Sequence, residues 1–144
     1  MKQLVKNLNL EVANFGVLYT KLHNFHWLVE GNQFYAHHEL FEKLYDEVTE
    51  HFDAVAERIL MLGEKPIATL KEFLELATVK EANGKETTVQ MFESVIADFN
   101  LINNELADTI KVAQELGDEV TVDLLIGISA SLQKHLWMLK STLK

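Results

Sequence analysis

Apolar residues recur every three or four positions along most of this chain, and few residues interrupt the pattern. From about Leu4 to Val29, Leu8, Val12, Phe15, Tyr19, Leu22 and His26 fall on one stripe, which predicts an amphipathic helix. Gly31 stops it, and Asn32 is placed to cap a second helix from about Phe34 to Leu62. Gly63 closes that helix and Pro66 bars its continuation. Thr87 or Thr88 starts a third long helix, whose Phe92, Val95, Phe99, Ile102, Leu106 and Ala113 keep a heptad-like spacing up to Gly117. A fourth, capped by Asp118 or Thr121, carries Val122, Leu125, Ser129, Leu132, Leu136, Leu139 and Leu143 at alternating steps of three and four. A short amphipathic piece, Leu70 to Ala77, sits in the long connection between the second and third helices.

Two hairpins of long helices joined this way predict an all-α four-helix bundle with one long crossover containing a short helix. The 144 residues, 48% of them apolar, suffice for one core, so a single domain spanning 1–144 is expected. No internal repeat or low-complexity segment appears.

Composition narrows the chemistry. There is no cysteine, which removes disulfides, thiolate nucleophiles and sulfur-rich metal sites and fits a reducing compartment. A metal here must use nitrogen and oxygen donors. No apolar run approaches the roughly 18 residues that cross a bilayer, and MKQLVKNLNLEV lacks the apolar h-region of a secretory signal. A soluble cytoplasmic protein with no membrane partner is expected. The net charge of −9 and the pI of about 5.1 repel polyanions and favour cations.

The polar residues of the second helix carry the most information. At about 100° per residue, His38, Glu42, Asp53 and Glu57 fall at about 0°, 40°, 60° and 100°, within one third of the circumference. His38 and Asp53 are nevertheless fifteen residues apart, or about 22 Å along the axis, too far to share one ion. His26 precedes the Gly31 to Gln33 turn by about as many residues as His38 follows it, so antiparallel pairing sets both imidazoles at one level with Glu42 a turn further on. His26, His38 and Glu42 therefore form half a site. A second copy running antiparallel across a two-fold axis would bring its Asp53 and Glu57 opposite that half, giving two shared sites per dimer. None of the six histidines has a glutamate three residues before it, which is the motif used by bundles that build a di-iron site within one chain.

His26-Trp27, Gly31, Phe34, His38, Tyr45, Asp53 and Ala56-Glu57-Arg58-Ile59 resemble the signature of the Dps family, the ferritin-like mini-ferritins or DNA-binding proteins from starved cells. Lys134-His135-Leu136-Trp137-Met138 is similar to that family's C-terminal segment, so the likeness spans nearly the whole chain. The resemblance implies a homo-oligomer, a hollow dodecamer built from two-fold dimers. It implies a ferroxidase in which Fe(II) and hydrogen peroxide are the substrates, with oxygen reacting more slowly and ferric mineral stored in the cavity against oxidative stress. His26, His38, Asp53 and Glu57 would be its iron ligands, in a site able to hold two metals, with Glu42 where the family usually has aspartate. Glu119 and Asp123 would correspond to carboxylates lining a three-fold iron pore, although Gln114 stands where a third acid is common.

Other readings stand beside these. Glu119 and Asp123 equally suit solvated acids that compensate a helix dipole. Asp46, Glu47 and Glu50 are either mineral-nucleating groups or a wet helix face. His23, His37, His51 and His135 read as hydrogen-bonded core residues, and Trp27 and Trp137 as packing residues, within the chain or at subunit contacts, unless an indole near the metals traps stray oxidising equivalents. DNA compaction, the alternative function that the family name suggests, is disfavoured by the charge: the apolar pattern starts by Leu4 with only Lys2 and Lys6 nearby and ends at Lys144. A helical interaction protein whose site is inert or holds zinc is the third reading.

Overall fold

The computed structural model describes residues Met1–Lys144 and consists of five helices: α1 (Lys2–Leu28), α2 (Phe34–Met61), α3 (Leu70–Leu76), α4 (Thr88–Glu115) and α5 (Glu119–Thr142). None of them is long and apolar enough to cross a membrane.

The helix ends follow from local chemistry. Thr87 makes a full capping box with Gln90, and Asp118 accepts from the Thr121 amide, so these residues open α4 and α5. Asn32 does not cap α2. Gln33 occupies that place without a side-chain bond, because Gly31, at φ 118°, turns the chain tightly enough for its own carbonyl to accept from the Phe34 amide.

Cross-links give the topology. Asn14 reaches Glu105 and Lys21 reaches Asp98, so α1 and α4 run antiparallel. Glu47 meets His135 and Arg58 meets Thr121, so α2 and α5 do too. Because α1 is also antiparallel to α2, α2 and α4 point the same way, and the chain between them must travel the length of the bundle. α3 rides on that crossover and packs on α1 through Phe73. Gly16 makes the contact possible, since a Cβ there would lie 2.8 Å from the Phe73 ring.

One continuous core joins all five helices and includes Phe15, Phe25, Phe41, Phe92 and Phe99. Three expected stripe positions lie off it. Tyr19 is 44% exposed because the stripe passes through Leu18 at that turn, Ile128 takes the core place beside half-buried Ser129, and Leu143 lies past the end of α5. Trp27 and Trp137 do not pack inside the chain either, being 68% and 65% exposed.

The core also buries a polar network. The Asn14 amide nitrogen donates to Glu11 (3.1 Å) and Glu105 (2.9 Å), while its oxygen accepts from the Thr78 and Val79 amides at 2.9 and 3.0 Å. Thr78 closes the ring by donating to Glu105 at 2.7 Å. These bonds tie the start of the second half of the crossover to α1 and α4. Burial, then the charge of Glu105, push the fully buried Glu11 carboxyl up to about 9, so it is protonated at neutral pH. The folded chain thus holds a proton that the unfolded chain releases above its ordinary value of 4.5, and stability falls as pH rises from there to about 9. Glu11→Gln, which mimics the protonated acid, is expected to flatten that slope and to stabilise the fold at pH 8 by on the order of 1–3 kcal/mol. Thermal unfolding of both proteins from pH 5 to 9 measures this.

Candidate metal centre

His26 sits in the last turn of α1, where backbone carbonyls have no partner within the helix. The ring nitrogen Nδ1 of His38, in the second turn of α2, donates to the His26 carbonyl at 2.7 Å. His26 returns the bond, its Nδ1 donating to the His38 carbonyl at 2.6 Å. The two rings stack at 3.6 Å between centroids and 15° between planes.

This clamp has a chemical consequence. A carbonyl only accepts, so each Nδ1 carries a proton, and in the neutral ring each Nε2 then presents a lone pair. Stacking at this distance suits two neutral rings and opposes two cations. The pair thus offers two metal-type nitrogen donors side by side, in the tautomer that metal ligation requires. Glu42 adds a carboxylate, its Oε1 3.8 Å from the Nε2 of His26. Phe34 covers the far face of His38 at 5.0 Å, and Tyr45 meets His26 edge-on at 5.3 Å.

Asp53 and Glu57 lie one turn apart, exposed, on the same helix as His38 but near its other end. The hydrogen bond and negative charge of Asp53 push the Glu57 carboxyl up, as expected for two crowded acids. His26 and His38 thus come together with Glu42 near His26, as do Asp53 and Glu57, but the two groups stay apart. Within one chain, no three ligand-type side chains converge on a point suited to a metal. Glu119 and Asp123 are both exposed on the first turns of α5 and bond to nothing in the chain.

Glu47 departs from the solvent-facing role expected of it. It accepts from Ser131 and His135, both on α5 and one turn apart. Burial pushes its carboxyl up, but those two bonds outweigh burial and hold it below the usual range. Asp46 and Glu50 stay on the helix surface. A second bracket went unread in the sequence. Arg58 donates to Asp118 at 3.0 Å and to Thr121 at 2.8 Å, fixing the start of α5 against α2. Burial raises the Asp118 carboxyl, but Thr121 and Arg58 together bring it below its ordinary value. The available signal was polarity inside apolar stripes: Glu11 and Asn14 in α1, Ser131 and His135 in α5.

A ferritin-like domain model matches residues 5–144. The chain is 51% identical over 142 residues to general stress protein 20U of Bacillus subtilis, covering 99% of this chain and 98% of that protein. It superposes with a TM-score of 0.98 on the crystal structure of a Dps protein from Bacillus brevis at 48% identity, covering 99% of this chain and 96% of that one. A more distant structure, the Dps protein of Vibrio cholerae O1, is described as a member of a broad superfamily of ferritin-like diiron-carboxylate proteins. It is 29% identical with a TM-score of 0.96, covering 99% of this chain and 90% of that one.

The tautomer assignment is directly testable. Neutron diffraction from crystals at pH 7.5 should place deuterium on Nδ1 of both His26 and His38 and none on either Nε2; deuterium on an Nε2 would refute the clamp.

Proposed function

This chain belongs to the Dps branch of the ferritin-like family, and on that premise we propose that it oxidises Fe(II) with hydrogen peroxide at sites shared between two subunits. The ferric product is stored in the cavity of a hollow dodecamer, which withdraws iron and peroxide together and protects the cell from their reaction. The observation that carries this reading is the His26–His38 clamp: two stacked imidazoles whose Nδ1 atoms are taken up by backbone carbonyls, leaving the Nε2 atoms for a metal, with Glu42 beside His26, in a chain that gathers no complete ligand set of its own.

Each site draws His26, His38 and Glu42 from one subunit and Asp53 and Glu57 from its two-fold mate. The imidazoles and Glu42 bind Fe(II), and the paired acids supply anionic oxygen, which favours Fe(III) once an electron has left. Two Fe(II) ions give one electron each to peroxide, whose O–O bond breaks to yield two waters with two protons taken up. Oxygen, reacting more slowly, takes two electrons from the pair and two protons and leaves as hydrogen peroxide. Bringing Asp53 and Glu57 close to a cation also relieves the repulsion that pushes the Glu57 carboxyl up in the lone chain. Glu119 and Asp123 fit an entry path, presenting two exposed carboxylates on one helix face.

Replacing both His26 and His38 by alanine should slow peroxide-driven Fe(II) oxidation by roughly tenfold or more, measured by stopped-flow absorbance, while leaving the assembled particle intact. Unchanged oxidation would remove these residues from the chemistry. Diffraction from iron-soaked crystals above and below the iron absorption edge should show iron between His26 and His38 of one subunit and the partner subunit's Asp53 and Glu57. Iron held by one subunit alone would overturn the shared site.

The same charge balance bears on DNA. At −9 per chain, an assembled shell should give no salt-dependent shift of duplex DNA in a low-salt gel, and a clear shift would contradict the reading.

A further inference from the structure

The crossover between α2 and α4 carries a tight turn that takes no part in the candidate metal centre. Both ends of the turn are pinned. Upstream, the amides of Thr78 and Val79 donate to Asn14, and downstream the Thr88 hydroxyl donates to the Glu30 carbonyl at 3.0 Å. Between these pins Asn83, Gly84 and Lys85 are exposed, and Gly84 takes φ 80°, a conformation that favours glycine. Of the chain's asparagines, Asn83 alone precedes a glycine.

The hydrogen bonds of this turn converge on one reaction. Glu86 accepts from the backbone amides of Asn83 and Gly84, one on each carboxylate oxygen, both at 3.0 Å. The Lys85 amide donates to the side-chain oxygen of Asn83 at 2.7 Å, forming an Asx turn. Burial pushes the Glu86 carboxyl up, but the surrounding backbone amides outweigh burial and hold it below the usual range, so it is ionised at neutral pH.

An asparagine side chain is an acyl group, and the next backbone nitrogen is the nucleophile closest to it along the chain. Their reaction is ordinarily slow because the amide N–H is a poor acid, charge must build on the carbonyl oxygen, and a side chain on the following residue hinders approach. This turn answers each obstacle. The Oε1 of Glu86 rests on the proton that must leave, where a general base belongs. The Lys85 amide rests on the oxygen where negative charge develops, as an oxyanion donor does. Gly84 has no side chain.

We propose that Asn83 is a self-modification site, at which the Gly84 nitrogen attacks the Asn83 side-chain carbonyl with Glu86 as base, releasing ammonia and leaving aspartate or isoaspartate. Glu86 takes the Gly84 N–H proton as the nitrogen bonds to Cγ of Asn83, and the oxyanion is held by the Lys85 amide. The Cγ–Nδ2 bond then breaks, Glu86 returns the proton to the departing nitrogen, and ammonia leaves a cyclic imide behind. Water adds to either imide carbonyl and the C–N bond at that carbonyl breaks. Opening at the side-chain carbonyl gives aspartate; opening at the main-chain carbonyl gives isoaspartate, which lengthens the backbone by one methylene. No electron changes hands, and water is the only co-reactant. Either product adds one negative charge to the chain. The turn has room for the change, since no atom lies within 4 Å of the place a Gly84 Cβ would take.

The test uses the full-length assembled protein, incubated in heavy-oxygen water from pH 5 to 8 and followed by peptide mass mapping. The wild type should convert Asn83 to a labelled mixture of aspartate and isoaspartate several-fold faster than any other asparagine. Its rate should vary little between pH 5 and 7, because the base is already ionised, whereas hydroxide-driven deamidation rises in proportion to hydroxide. Glu86→Gln, which keeps the size and one acceptor oxygen, should be several-fold slower at pH 6 and should follow hydroxide. A wild-type rate that itself follows hydroxide, or no excess label at Asn83, overturns the inference without any mutation. Equal rates in wild type and Glu86→Gln overturn it too, and a faster variant would show that the turn protects Asn83 instead.

Discussion

Two hydrogen bonds, each from an imidazole to the other histidine's backbone carbonyl, set the end of α1 against the start of α2, beside an apolar contact of Phe25 with Phe41 that holds the two helices together. They fix the axial level of the hairpin, since both must form together and each spans from side chain to main chain. They also satisfy one of the carbonyls that a helix C-terminus leaves open, so α1 ends where the site begins. The same bonds choose the tautomer, and with it the direction in which the free nitrogens point. Architecture and chemistry share one constraint here: a slip of one residue between the helices would lose both bonds and turn the imidazoles away from Glu42.

The other helix pairs are registered by similar polar means inside an apolar core. Asn14 and Glu105 bind α1 to α4 with help from Thr78, Lys21 and Asp98 repeat the link about two turns along, and Glu47, His135, Arg58 and Asp118 join α2 to α5. Such groups contribute little net stability against apolar replacements of equal size, and Glu11 costs stability at neutral pH. Their effect is on specificity. Leu and Phe stripes pack acceptably in several registers, whereas a buried carboxyl or ammonium accepts only the register that supplies its partner.

Period and punctuation made the fold legible in advance. The α1, α2, α4 and α5 boundaries follow glycines and capping residues, and α3 follows a short amphipathic run between them. Errors arose where a stripe was drawn as a straight line. Tyr19 and Leu143 are correctly spaced, yet the stripe runs through Leu18 at Tyr19's turn and α5 ends before Leu143, so both fall off the core. Of the candidate site, the level of His26, His38 and Glu42 could be counted from the turn, because helix rise is constant. The hydrogen bonds to backbone could not, since main-chain carbonyls leave no trace in a residue string. Glu47 was misread for a related reason. Its partners lie more than eighty positions away on a helix whose facing angle only the packed bundle determines.

α2 runs from Phe34 to Met61 without a glycine or a proline, and carries His38, Glu42, Asp53 and Glu57 on one face. Its length is consequently a ruler. Insertion or deletion of one residue between His38 and Asp53 would rotate one half about 100° away from the other, and no side-chain adjustment would restore the alignment. The exposed stretch of the crossover around Gly84, beyond Thr78 and Val79, has room to gain or lose residues, whereas the interior of α2 can exchange residues but not change their number.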